Sequence, residues 1–454
     1  MAHSEIPPPP ELDPGNDLPV IRVRPPGPES RSWLLRSARA AAPMGPRITA
    51  DRARGIRAEV PSGAIVYESG KGSNVLDVDG NRYVDLAAGF GALLLGHGHP
   101  RVLRAVEHQA PRLMQALGDV YPSDARIALL GRLAELYPRP GAQVILGQSG
   151  ADAVSAALKT AALATGRPGV LACSGAYHGL SYGPLAALGL RPSYREPFSA
   201  QLNPHASFVD YPASEAAMDE ALERARFALA RGDVGAVLVE PILGRGGCLV
   251  PPAEFLPELG RLARAAGAVM IADEVWTGLG RAGKSLFSTQ GDFVPELVCL
   301  GKGLGGGLPM SACVGSSEVM RAWSRDAEVV HTSTFAGAPL ACTTALATLD
   351  VLSRERLPER AARVGDWFKR ELEAKELPGV REIRGAGLML ALDLGARPGA
   401  AVALMRALLE RGFIVSTGGG QREALILTPP LVIAESLLSA FVTELRSVLD
   451  ASPR

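Results

Sequence analysis

One lysine, Lys302, stands apart in the stretch Val298-Cys299-Leu300-Gly301-Lys302-Gly303-Leu304-Gly305-Gly306-Gly307-Leu308-Pro309. The apolar run Leu297 to Leu300 reads as a buried strand, and it delivers the only cation of the stretch into a glycine-rich loop. Lysines are seldom buried without a partner, and one held where water is scarce has its pKa lowered toward the neutral, nucleophilic amine. A solvated lysine at the head of a surface loop is the other reading of this stretch taken alone. Two more apolar runs end in acids: Ala236 to Val239 runs into Glu240-Pro241, and Val269 to Ala272 runs into Asp273-Glu274-Val275. As parallel neighbours, these strands would project Glu240, Asp273 and Lys302 into one crevice at their carboxyl ends.

An amine that forms Schiff bases, beside a carboxylate that keeps a heteroaromatic nitrogen protonated, is what pyridoxal phosphate chemistry uses. The protonated ring is an electron sink for charge developing at Cα, and each pKa unit of bias toward it is worth about 1.4 kcal/mol. A phosphate also needs a cradle. Val144-Ile145-Leu146-Gly147-Gln148-Ser149-Gly150-Ala151-Asp152 supplies a strand, a small-residue turn and the start of a long helix, so the N–H groups of Ser149, Gly150 and Ala151 are candidate phosphate donors. Ser and Asp at that point also cap ordinary helices. Gly175-Ala176-Tyr177-His178-Gly179 follows the next strand and would lay Tyr177 against a ring face, with a merely packed aromatic as the alternative.

The elements that must position these residues are legible in outline. From about Ala125 to Pro295, short apolar runs (Gln143 to Leu146, Gly169 to Cys173, Ala236 to Val239, Ala268 to Ala272) alternate with helical patterns over Ala151 to Thr165, Ser214 to Arg231 and Ala253 to Ala266. That alternation predicts an α/β architecture with a mostly parallel sheet covered by helices. Before it, Ala64 to Tyr67, Val75 to Val78 and Arg82 to Leu86 read as a small antiparallel unit, with Asp79-Gly80-Asn81 as a hairpin turn. Ala87 to Pro100 reads as a loop exposing Phe90, ahead of a helix from about Arg101 to Leu117. Past Leu340 come two long helical patterns, strands at Val380 to Ile383 and Leu388 to Leu394, a helix over Ala400 to Arg411, and Phe413 to Val415, an α+β tail that would join the N-terminal unit.

At 454 residues the chain has room for two or three domains and a large core. Residues 1–46, which include Ile6-Pro7-Pro8-Pro9-Pro10, read as an extended or disordered, Pro-rich extension; 47–100 as the first part of a small domain; 101–338 as a large cofactor-binding domain; and 339–454 as the rest of the small domain. Lys plus Arg and Asp plus Glu number 47 each, so no net field points to nucleic acid or an anionic membrane. Five cysteines without metal-type spacing, no long apolar run and no secretory leader set a cytoplasmic expectation, with no metal.

The chain resembles the class III, or omega, aminotransferases, a fold-type-I pyridoxal-phosphate family, from about Gly63 to the C-terminal region. The motifs, in family order, are Ser149-Gly150-Ala151-Asp152-Ala153, Gly175 to Gly179, Val239-Glu240-Pro241-Ile242, Ala272-Asp273-Glu274-Val275 with Thr277-Gly278-Leu279-Gly280-Arg281, Lys302, His331-Thr332-Ser333-Thr334-Phe335-Ala336-Gly337 and Pro429-Pro430-Leu431. The resemblance implies that Lys302 carries the cofactor as a Schiff base and shuttles the proton from Cα, and that Asp273 pairs with the pyridine nitrogen. It further implies that Val275 and Tyr177 sandwich the ring, that Ser149, Gly150 and Ala151 hold the phosphate, and that Thr334 joins them from a neighbouring subunit, which makes the protein a homodimer. Glu240 is implied as support beside the cofactor, with a plain strand-end carboxylate as the alternative, and His178 falls in the same cofactor loop as Tyr177, with a structural histidine as the alternative.

Four positions depart from the family pattern. A glutamine that touches the cofactor's phenolic oxygen in many members is Trp276 here. The arginine that grips the α-carboxylate in glutamate users is Ile426, and the glutamate that gates it is Arg245. Arg245 or Arg422 is therefore the expected carboxylate contact, with solvated surface arginines as the alternative. Phe90 replaces a common tyrosine of the substrate pocket. The expected function is ping-pong transfer of an amino group from a primary amine, diamine or amino acid to a 2-oxo acid. An aminomutase, racemase or decarboxylase on the same fold is the first alternative, and a non-catalytic cofactor-binding protein a remote one.

Overall fold

The computed structural model describes residues 15–41, 64–324, 328–395 and 399–451. Its centre is a seven-stranded sheet built from β4 (Gln143–Gly147), β5 (Gly169–Cys173), β6 (Ala206–Val209), β7 (Val234–Val239), β8 (Val269–Asp273), β9 (Leu297–Leu300) and β10 (Ser311–Gly315), after three N-terminal strands, β1 (Tyr67–Lys71), β2 (Asn74–Asp77) and β3 (Arg82–Asp85). The order across the sheet is β4-β10-β9-β8-β7-β5-β6. From β9 to β6 neighbours run parallel, and β10 runs antiparallel to both β9 and β4. Strands β5, β7, β8 and β9 are buried along their whole length, as strands covered on both faces must be.

Helices observed over Gly150–Thr165, Glu215–Ala230 and Phe255–Ala265 fall within a residue or two of the periodic patterns. The helix after His99-Pro100 stops at Gln109, short of the expected Leu117. The strand expected over Ala64 to Tyr67 begins where that run ends, at Tyr67, and pairs with β2, while Asp79-Gly80-Asn81 does turn β2 into β3.

The C-terminal part carries β11 (Glu382–Ala386), β12 (Met389–Asp393), β13 (Phe413–Ile414), β14 (Ser416–Gly418) and β15 (Ala424–Leu427), and β11-β12-β15-β14 form an antiparallel sheet. Strand β13 leaves that sheet and pairs parallel with β3, Phe413 against Val84, so segments from both ends of the chain share one sheet. Phe413 and Phe368 both pack edge-on against Phe441, at ring separations of 5.5 and 6.2 Å, inside the largest core.

The extended or disordered extension expected over residues 1–46 does not hold for its described part. Residues 15–41 fold onto the hairpin: Val20 bridges to Arg82, the Arg22 and Val23 N–H groups donate to Asn81 Oδ1, and a helix forms over Pro28–Ala40. That helix starts where the Asp79 carboxylate accepts from the Glu29 and Ser30 N–H groups, an acid at a helix N-terminus. Residues 1–14 and 42–46 lie outside the described residues.

Candidate active site

The order β9-β8-β7 makes neighbours of the three strands that end in Lys302, Asp273 and Glu240, with Asp273 level with Cys299 and Val239 level with Ala272. Asp273 is buried; its Oδ2 lies 2.7 Å from His178 Nδ1 and its Oδ1 accepts from the Val275 N–H at 3.1 Å. Glu240 is buried too, accepting from the Tyr177 N–H at 2.6 Å and the Gly244 N–H at 3.1 Å, so it ties the loop after β5 to the loop after β7. Burial, with the charge of Asp273 adding to it, lifts its pKa to about 7 against the pull of His178 and the two N–H donors. Lys302 is held at φ +42°, a left-handed backbone that a lysine adopts only where its surroundings impose it. Burial pushes its pKa down to about 8; Asp273 and Glu240 oppose the shift, and Arg245 and Arg281 reinforce it.

Glycines let the backbone close around this group. A Cβ at Gly150 would lie 2.7 Å from Val275 Cγ1, and one at Gly301 would lie 3.2 Å from the same atom and 3.4 Å from Gly150 Cα. The helix N-terminus, the strand-end valine and the residue before Lys302 thus meet at one point. A Cβ at Gly179 would fall 2.7 Å from Ala151 Cβ, which brings the Tyr177-His178 loop against the same helix end.

The phosphate cradle differs from expectation at Ser149. Asp152 closes a capping box: its carboxylate accepts from the Ser149 N–H at 3.0 Å while Ser149 Oγ accepts from the Asp152 N–H at 3.2 Å. Ser149's N–H is therefore used internally, and the N–H groups of Gly150 and Ala151 are the donors of the first turn that find no acceptor among the described residues.

Tyr177 is half-buried; the Arg245 guanidinium lies 4.7 Å above its ring, and Tyr194 meets it edge-on at 6.2 Å. Trp276 is buried beneath Lys302, whose Nζ stands 4.4 Å from the ring centroid. Trp276 and Ile426, two of the departing positions, belong to one buried apolar cluster with Ile242, Cys248 and Met389. Phe90 is 67% exposed at φ +58° in the left-handed turn Ala88–Gly91. The fold does not gather every candidate. Arg422 is exposed at the tip between β14 and β15, at φ +60°. Thr334 is exposed as well, its carbonyl accepting from Gln115 Nε2 at 2.7 Å, in a segment that Ser333 fastens to Gln148.

One residue of the site region had no role assigned from sequence. Arg281 is wholly buried; its Nη1 donates to the carbonyls of Leu388, at 2.8 Å, and Pro429, while Nε and Nη2 meet no acceptor among the described residues. Burial lowers its pKa to about 9. Its position in Thr277-Gly278-Leu279-Gly280-Arg281 was the available signal, but only the fold brings the C-terminal carbonyls to it.

Known proteins resemble this chain over most of its length. The family model "Aminotransferase class-III" matches residues 57–449. The acetylornithine aminotransferase of Methanopyrus kandleri is 37% identical over 386 residues, 84% of this chain and 94% of that protein. Among solved structures, an ornithine aminotransferase from Toxoplasma gondii superposes with a TM-score of 0.78 at 30% identity, covering 88% of this chain and 92% of that one. An amine transaminase from an uncultivated Pseudomonas species, in its PLP-bound form, superposes with a TM-score of 0.81 at 27% identity, covering 90% and 98%.

Proposed function

This chain belongs to the class-III aminotransferases, pyridoxal-phosphate-dependent transaminases of fold type I, and we propose that Lys302 is the residue through which it holds the cofactor and moves the amino group to a 2-oxo acid. One observation carries the reading: a desolvated amine and a buried, doubly hydrogen-bonded carboxylate, Lys302 and Asp273, lie at the ends of adjacent parallel strands.

The residues fit the cofactor. The free Gly150 and Ala151 N–H groups at a helix N-terminus suit a phosphate, and Asp273 suits a ring nitrogen. When bound, pyridoxal phosphate supplies an electron sink for the charge that develops at the donor's Cα. Asp273 would hold the ring nitrogen, oriented by His178 and the Val275 N–H, while Val275 and Tyr177 would bound the two ring faces. Glu240 would steady the Tyr177 loop through its N–H contact. Lys302 Nζ would take the proton at the donor's Cα and return it at the carbon on the far side of the nitrogen. With a pKa of about 8, about a tenth of such an amine is neutral at pH 7, against well under a thousandth for an ordinary lysine.

For the substrates, the relatives named acetylornithine and ornithine aminotransferase favour a primary ω-amine donor. Arg245, stacked on Tyr177 and close enough to act on Lys302, is the better carboxylate partner, and Ile426, in one apolar cluster with Trp276, leaves an apolar wall where the usual clamp would stand. We also read the protein as a cytoplasmic homodimer. Exposed apolar residues at Leu117, Val120 and Tyr121 and at Val329, Val330 and Phe335 favour a partner subunit, toward whose phosphate Thr334 would reach.

The test is to load the protein with pyridoxal phosphate, reduce it with borohydride and map the tagged lysine by mass spectrometry. The tag is expected on Lys302, and a tag on any other lysine overturns the assignment. An amine donor alone should bleach the bound-cofactor absorbance and a 2-oxo acid restore it. Steady turnover of one substrate without a second would instead establish a racemase, aminomutase or decarboxylase.

A further inference from the structure

We propose that Trp276 is a positioning residue that seats the free amine of Lys302, the indole face being where the ammonium rests whenever the lysine is not joined to the cofactor. The proposal rests on the reading of Lys302 as the cofactor's lysine and goes beyond it.

Two independent features of the fold support the seat. Lys302 Nζ stands 4.4 Å from the Trp276 ring centroid, within the range at which a cation is attracted to the negative face of an aromatic ring. The ring is also held in place from both sides. A Cβ at Gly91 would lie 2.4 Å from the indole Nε1, and one at Gly244 would lie 2.3 Å from Cε3, so only glycine at both positions admits the ring as it stands. The indole N–H, buried, finds no acceptor among the described residues, so packing rather than a hydrogen bond fixes the plane of the ring.

An amine released in mid-reaction must stay within reach of the reacting carbon and, once it has taken the Cα proton, hold that proton until it is returned. Four charged groups act on Lys302: Asp273 and Glu240 favour its charged form, and Arg245 and Arg281 disfavour it. Burial disfavours it as well, so the Trp276 face adds a stabilising contact for the ammonium without adding a base that would compete for its proton. An amide at the same position would act as a hydrogen-bonding group; an indole acts through its face.

The seat is tested on the full-length chain freed of cofactor. Competitive acetylation across pH 6 to 11, read by peptide mass spectrometry, reports the midpoint at which Lys302 becomes nucleophilic. Trp276→Leu removes the π face and is expected to lower that midpoint by about one unit, because the ammonium loses its partner, whereas Trp276→Phe keeps a face and moves it by less. A midpoint that is unchanged or raised in Trp276→Leu overturns the proposal. Should the leucine variant fail to fold, biosynthetic replacement of tryptophan by increasingly fluorinated tryptophans weakens the face without changing its shape. The midpoint should then fall with each added fluorine, and a constant midpoint sinks the idea. Borohydride tagging of the same variants separates the two levels: a tag that stays on Lys302 while the midpoint ignores Trp276 refutes the seat alone, and a wild-type tag elsewhere refutes the parent reading.

Discussion

Asp273 Oδ2 and His178 Nδ1 are 2.7 Å apart, and both side chains are buried. With the Val275 N–H on its other oxygen, the carboxylate is oriented from two directions by the protein itself.

Asp273→Asn keeps the shape and removes the charge that would hold a ring nitrogen protonated. Transamination is expected to fall by about a hundredfold or more, read as the rate of the donor half-reaction. His178→Phe leaves the acid but frees its orientation, and should weaken cofactor affinity by about tenfold in a fluorescence titration. Unaltered affinity in the phenylalanine variant would show that the histidine orients nothing of consequence.

Gly150→Ala places a methyl 2.7 Å from Val275 Cγ1, at the start of the helix that presents the Gly150 and Ala151 N–H groups. Cofactor affinity should drop at least about tenfold, in line with the cost of overpacking a close contact. Val275→Ala added to it removes the colliding atom, so the double variant should recover part of the loss. No recovery would mean that the glycine serves a purpose other than making room for the valine.

Arg245→Ala and Arg422→Ala divide the two arginine candidates. Arg245 covers the Tyr177 ring, and Arg422 is exposed at a hairpin tip. The first should raise KM for the 2-oxo acid by about ten- to a hundredfold, the worth of a charge-assisted contact, and the second should change it by less than about twofold. Stopped-flow measurement of the keto-acid half-reaction decides between them, and the reverse ranking would transfer the role to Arg422.

Glu240 gives a pH signature. Its folded pKa is raised from 4.5 to about 7, so the folded state binds more protons than the unfolded state between those values. Its contribution to stability is therefore present below about pH 4.5 and is lost as pH rises through about 7. Glu240→Gln cannot titrate, and urea midpoints of the cofactor-free protein at pH 5 and pH 8 should differ less in this variant than in the wild type. An equal difference in both proteins would place the titration elsewhere.

Much of the site was legible because it depends on local signals. Fully apolar runs mark β7, β8 and β9, and an acid or amine directly after each run falls at the strand end whatever the wider topology. Strand β10 gave no such signal: Ser311-Ala312-Cys313-Val314-Gly315 is short and begins and ends in small residues, and its antiparallel course is set by pairing with β4 and β9. The fold of residues 15–41 was hidden for a similar reason. Its bonds run to Asn81 and Asp79, tertiary partners that leave no periodicity in the segment itself. Sequence could mark Trp276 as unusual. It could not show that Gly91, remote in the chain, and Gly244 stand on either side of the indole, nor that Ser149 gives its N–H to Asp152.

The pairing of Val84 with Phe413 also has a consequence during synthesis. As the chain leaves the ribosome, β1 to β3 emerge early, and the edge of β3 has no β13 to pair with until nearly the whole polypeptide has been made. The large sheet, whose strands lie between Gln143 and Gly315, has all its members much sooner. Assembly is thereby ordered: the compartment that presents Lys302 can form first, and the sheet shared by the two ends closes last, a late, long-range step of the kind that slows folding and lengthens the exposure of an unpaired strand edge.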